Sequence, residues 1–210
     1  MFGLAKMDTP ADEPRHLDWD AAYARGETPW DKGAAAPPLL EFLGRREVIG
    51  RVLVPGCGIG HDAWGLAEAG AENVLGMDIA EEAVGRARAG ETLPNLRFEL
   101  GDFLNLAPEF HGAFDWVFEH TCISGLHPSL LLGYAASVSQ ALRPGGKYLA
   151  IFFLTPWDEG EEQDPPPYGI TVEEIDALFA GKLETEEEWW PTRHFPGREG
   201  RELMRLMVRR

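Results

Sequence analysis

Val52-Leu-Val-Pro-Gly-Cys-Gly-Ile-Gly-His61, followed by Val74-Leu-Gly-Met-Asp78, decides the fold. The first run is apolar and short, the pattern of a buried strand, and the glycines behind it let the backbone turn sharply. A ligand can then approach the main chain. The second apolar run ends in Asp78, about 20 positions on, the spacing at which doubly wound folds place a carboxylate on a ribose. Together they predict a nucleoside site at the carboxyl edge of a parallel sheet.

The dinucleotide fingerprint G-x-G-x-x-G needs a third glycine where this chain has His61. Gly56, Gly58 and Gly60 instead make G-x-G-x-G, which suits a ligand lying across the loop with no pyrophosphate to cradle. Cys57 sits inside this loop, where a small side chain explains it more simply than a catalytic thiol. Two cysteines make no disulfide framework, and no Cys/His cluster has metal-ligand spacing.

A hydrophobic content of 44% over 210 residues supports one domain with a full core. No apolar run reaches the ~18 residues of a membrane span, and the start of the chain lacks the apolar region of a signal peptide. A cytoplasmic protein with no membrane partner is expected. The net charge of −16 argues against nucleic acid as a partner. Acid gathers at Asp158–Asp164 and Glu184–Glu188, and base in Arg193–Arg210; both read as solvated surface.

Residues 1–16 read as a loose lead-in and 17–210 as one domain. Within it, 17–45 is an aromatic segment, 51–155 a cofactor-binding core, and 156–210 a substrate-side loop, a helix and final strands. Strands are expected at Arg51–Pro55, Asn73–Met77, Leu96–Leu100, Phe114–Phe118 and Lys147–Leu154. Helices are expected at His61–Ala69, Glu81–Ala89 and Ser129–Leu142, with a turn at Arg143-Pro-Gly-Gly146. Thr171-Val-Glu-Glu174 looks like a capping box, and Leu183–Trp190 and Leu203–Arg209 like a closing strand pair. This alternation predicts an α/β, doubly wound, mostly parallel seven-stranded Rossmann-like sheet with helices on both faces.

Trp19-Asp-Ala-Ala-Tyr-Ala-Arg-Gly-Glu-Thr-Pro-Trp-Asp31, the glycine loop, Gly101-Asp102-Phe103, Phe114-Asp-Trp-Val-Phe-Glu-His-Thr121, Leu142-Arg-Pro-Gly-Gly146 and Pro166-Pro167-Tyr168 resemble the thiopurine S-methyltransferase-like family. Its members include halide and thiol methyltransferases of the class I S-adenosylmethionine-dependent fold. The tryptophan-bearing segment is the specific part. The resemblance implies S-adenosylmethionine as methyl donor and a small soft nucleophile (thiol, hydrosulfide, halide or thiopurine) as substrate. It implies that Trp19 and Trp30 wall the cavity and that Gly56, Cys57 and Gly58 meet the methionine part. Asp78 would meet the ribose, Asp102 and Phe103 the adenine, Ile79 would also contact the cofactor, and His120 would lie beside it. Tyr23, Trp30 and Tyr168 would face the substrate. Tyr23 and His120 depart from the plant pattern, which has tryptophan and tyrosine there, and so bear on substrate preference.

Several residues keep two readings at this level. Trp19 and Trp30 either wall the pocket or pin their segment to the sheet. His120 is either a general base or a strand-end histidine capping the pocket. Arg193, His194 and Arg198 either draw an anion inward or keep the surface soluble. Two other function classes share the sheet and the acidic ribose residue: a nicotinamide-dependent oxidoreductase and a non-catalytic S-adenosylmethionine-binding module.

Overall fold

The computed structural model describes residues 18–90 and 93–210, so the expected lead-in at 1–16 lies outside the described residues. Seven strands form one sheet in the order β3-β2-β1-β4-β5-β7-β6. They are β1 Arg51–Pro55, β2 Asn73–Asp78, β3 Leu96–Leu100, β4 Phe114–His120, β5 Leu142–Phe153, β6 Glu184–Trp189 and β7 Glu202–Val208. The first five run parallel, and β7 inserts antiparallel between β5 and β6. From β1 the chain goes first to β2 on one side and later to β4 on the other. The crevice between β1 and β4 is therefore the switch point where such sheets bind ligands.

The sheet is apolar on both faces because helices cover both. Alternate residues of β1 divide between two cores: Leu53 joins Tyr134, Tyr148 and Phe179 under α6 (Leu131–Ala141) and α7 (Val172–Phe179). Val52 and Val54 join Leu39, Leu66 and Val84 under α2 (Pro37–Leu43), α3 (His61–Glu68) and α4 (Glu81–Ala89). Period-two alternation along one strand thus feeds two layers.

The aromatic segment contains a helix that the sequence reading did not assign, α1 Trp19–Arg25. Asp18 caps it by accepting from Ala21 N at 3.0 Å, and Gly26 ends it in the left-handed conformation. The expected turn Arg143–Gly146 is instead drawn into β5. Gly145 N donates to Arg209 O at 2.6 Å and Arg209 N to Gly146 O at 2.9 Å, which pairs this stretch with the segment after β7, while Gly145 keeps a left-handed φ of 75° and with it a bend. The capping box of α7 forms as expected, Glu174 N to Thr171 Oγ1 and Thr171 N to Glu174 Oε2. The acidic and basic clusters meet one another: Glu188 accepts from Arg205, which is 3% exposed on β7, and Asp176 of α7 accepts from the same guanidinium.

Candidate functional site

A cavity of about 620 Å³ opens at the carboxyl ends of β1, β2 and β4. Its floor is the glycine loop. Gly60 takes the left-handed conformation as N-cap of α3, and a Cβ there would sit 2.4 Å from the Phe98 ring on β3. The third glycine thus lets the loop press onto the neighbouring strand. Gly58, also left-handed, donates its amide to Asp78 Oδ2 at 2.7 Å. Ala80 N donates to the other oxygen at 2.9 Å. Burial pushes the Asp78 carboxyl up, while these backbone donors pull it down.

Trp19 and Trp30 both line the cavity and also pack on Tyr23, Ala80 and Ala83, so they wall the pocket and hold their segment in place together. Their rings meet edge to face at 5.2 Å, and Trp30 meets Tyr23 likewise at 5.7 Å. Trp30 Nε1 donates to the Tyr23 hydroxyl at 3.0 Å, and burial pushes that phenol up, so it stays protonated. Gly56, Cys57, Ile79, Asp102, Phe103 and His120 lie on the same cavity wall. Tyr168 does not. Its amide donates to Ser124 O at 2.7 Å and its ring packs on His127, while Pro166 and Pro167 of the same loop reach the cavity. Cys57 and Cys122 are both free, and burial pushes both thiols up, away from the thiolate that nucleophilic chemistry needs.

A chain of charged groups also lines the cavity. His120 Nδ1 is 2.7 Å from Asp62 Oδ2, and its Nε2 is 3.2 Å from an Arg198 guanidinium nitrogen. An arginine nitrogen only donates, so Nε2 accepts and Nδ1 carries the proton that goes to Asp62. Asp62 is fixed in turn by Ala36 N on its other oxygen at 2.6 Å. Arg198 also donates to Glu202 Oε1 at 2.9 Å, with His194 facing Glu202 Oε2 at 3.3 Å. The guanidinium lies 4.6 Å over the Phe153 ring, and Phe195 stacks on His120.

Arg198 is 8% exposed and lines the cavity, so of its two readings the solvated-surface one does not describe its position. Strand direction explains the difference. Because β7 is antiparallel to β5, with Glu202 opposite Phe153, the loop ahead of it begins at the carboxyl edge, where the site is. Asp62 and Glu202 went unmarked in the sequence for the same reason, since only the closed sheet brings α3, β4 and the β6–β7 loop together.

A profile of the thiopurine S-methyltransferase family matches residues 15–189. The chain belongs to that family. Among its relatives, a protein named probable thiol methyltransferase 2 from Arabidopsis thaliana is 32% identical over 77% of this chain and 70% of its own. Thiocyanate methyltransferase 1 from Brassica oleracea is 32% identical over 73% of this chain and 67% of its own. A solved structure described as the conversion of a disulfide bond into a thioacetal group during echinomycin biosynthesis superposes with a TM-score of 0.71. It shares 24% identity and covers 91% of this chain and 90% of its own, a likeness of fold.

The family is one of S-adenosylmethionine-dependent methyltransferases, and the chain is such an enzyme. Its residues fit that methyl donor. Asp78 lines the cavity with two backbone donors already placed, and a carboxylate has about four acceptor sites, leaving capacity for a diol. No helix among the described residues is long and apolar enough to cross a membrane.

Proposed function

We propose that this enzyme methylates a small soft nucleophile, a thiol, hydrosulfide or halide, in a largely dry cavity. The observation that carries the reading is the Arg198 guanidinium, buried yet lining a cavity walled by Trp19, Tyr23, Trp30 and Phe195. A cation there holds a small anion, and aromatic walls exclude the water that would otherwise blunt it. The relatives named for thiol and thiocyanate support the same class.

S-adenosylmethionine supplies an electrophilic methyl group on a sulfonium. The chain's part is to hold and align. In this reading the glycine loop with Gly56, Cys57 and Gly58 takes the methionine portion, Asp78 the ribose hydroxyls, and Asp102 and Phe103 the adenine, with Ile79 also against the cofactor. Trp19 and Trp30 face the sulfonium, a contact worth about 0.5–2 kcal/mol depending on desolvation. In-line attack then needs alignment more than acid–base help when the nucleophile is already an anion. The two free cysteines and the charge of −16 support a reducing, cytoplasmic setting with a small-molecule partner and no nucleic acid. The test is headspace detection of methylated product, with S-adenosylhomocysteine formation, over iodide, bromide, hydrosulfide, methanethiol and an aryl thiol. Absence of product from all five would overturn the assignment.

A further inference from the structure

We infer that His120 is a general base that lets this enzyme methylate thiols still carrying their proton, with Asp62 as its positioning residue. The inference rests on the soft-nucleophile reading above and extends it from anions to neutral thiols. A halide or thiocyanate brings no proton, so a cavity serving only such anions has no task for a proton acceptor. This cavity nevertheless contains an oriented one.

The orientation follows from geometry. Asp62 Oδ2 at 2.7 Å takes the Nδ1 proton and leaves the Nε2 lone pair toward Arg198, and His120 and Arg198 both line the cavity. Asp62 cannot swing away, because Ala36 N at 2.6 Å anchors its second oxygen. Arg198 caps Nε2 at 3.2 Å, and the same guanidinium nitrogen donates to Glu202 at 2.9 Å. Arg198 can therefore release Nε2 to an incoming S–H and remain held.

The charges facing His120 come from every side. Asp62 on α3 stabilises an imidazolium, whereas Arg198 opposes one. Glu202 on β7 offsets Arg198 and is itself flanked by His194. Glu119, the preceding residue, turns to the other face and accepts from Ile123 N. Phe195 covers the ring by stacking at 6.3 Å.

In the step itself, the S–H proton passes to Nε2 as the sulfur lone pair forms the new bond to the methyl carbon. The old methyl–sulfur bond breaks and leaves its electron pair on the donor's sulfur, now a neutral thioether. Asp62 balances the imidazolium until water takes the proton. One thiol yields one methyl thioether and one proton.

The experiment compares methanethiol with iodide in wild type, His120→Gln and Asp62→Asn from pH 6 to 9. General-base catalysis contributes about 10²–10⁴-fold. His120→Gln should therefore lower the thiol-to-iodide ratio of kcat by about a hundredfold near neutral pH. The variant's thiol rate should also climb about tenfold per pH unit, following the thiolate in solution, more steeply than wild type. Asp62→Asn offers an N–H to Nδ1, which fixes the proton on Nε2 where it cannot accept, and should shift the ratio in the same direction. Equal loss for iodide and thiol, or an unchanged pH slope, would overturn the base alone. No product from either nucleophile with wild type would overturn the soft-nucleophile reading and the base with it.

Discussion

Gly58 donates its amide to Asp78 at 2.7 Å, across 20 residues of chain, so the loop after β1 is latched to the end of β2. One carboxylate both shapes the loop and faces the cavity. Asp78→Ala should weaken S-adenosylmethionine binding by roughly ten- to a hundredfold, the loss of charge-assisted hydrogen bonds worth about 1.5–3 kcal/mol. Asp78→Asn keeps the shape and one acceptor and should fall between. Calorimetry on both variants checks this, and unchanged affinity would remove Asp78 from the site.

The same latch places Gly58 under the Tyr23 hydroxyl. A Cβ on Gly58 would stand 2.7 Å from that oxygen, at a φ of +55° that side chains rarely adopt. Gly58→Ala should therefore displace Tyr23 and its bond from Trp30 as well as strain the loop. Adding Tyr23→Phe removes the clash but not the φ. The double variant should recover part of the lost cofactor affinity and none of the Trp30 contact. Full recovery would mean that strain at this φ contributes nothing.

Local signals carried the nucleoside side of the molecule. The glycine loop, the β2 terminus and the capping box are contiguous in sequence, so periodicity and turn chemistry revealed β1 to β3 and α7 within a residue or two. α1 was missed although Asp18 and Gly26 bracket it, because seven residues make only about two turns, too short a window for helical periodicity to show. The Asp62–His120–Arg198–Glu202 chain had no such signal. Its members come from four separate elements, and only the antiparallel insertion of β7 turns Arg198 inward. Tyr168 shows the converse: nearness in sequence to Pro166 and Pro167 did not bring its ring to the cavity.

In the proposed reading Arg198 joins stability to nucleophile capture. Glu202 is 1% exposed, and removing its partner leaves a buried carboxylate, which typically costs about 3–5 kcal/mol. Arg198→Met should thus lower the melting temperature and raise KM for iodide. Adding Glu202→Gln should restore much of the stability without restoring KM. Recovery of both together would show that Arg198 serves the fold and not the anion.

Glu119 should make stability depend on pH. It is fully buried, accepts from Ile123 N at 2.9 Å and from the Tyr134 hydroxyl, and burial pushes its carboxyl up from 4.5 to about 7. The folded state therefore holds its proton where the unfolded chain has released it. The stability this gives is fully present below about pH 4.5 and is lost as pH rises through about 7, an effect on the order of 3 kcal/mol. Glu119→Gln keeps an acceptor for Ile123 and cannot ionise. Thermal unfolding from pH 5 to 8.5 should show wild type losing stability up to about pH 7 and levelling off above it, while the variant stays flatter and becomes the more stable of the two above pH 7. Parallel curves for the two proteins would place the source of any pH dependence in groups other than Glu119.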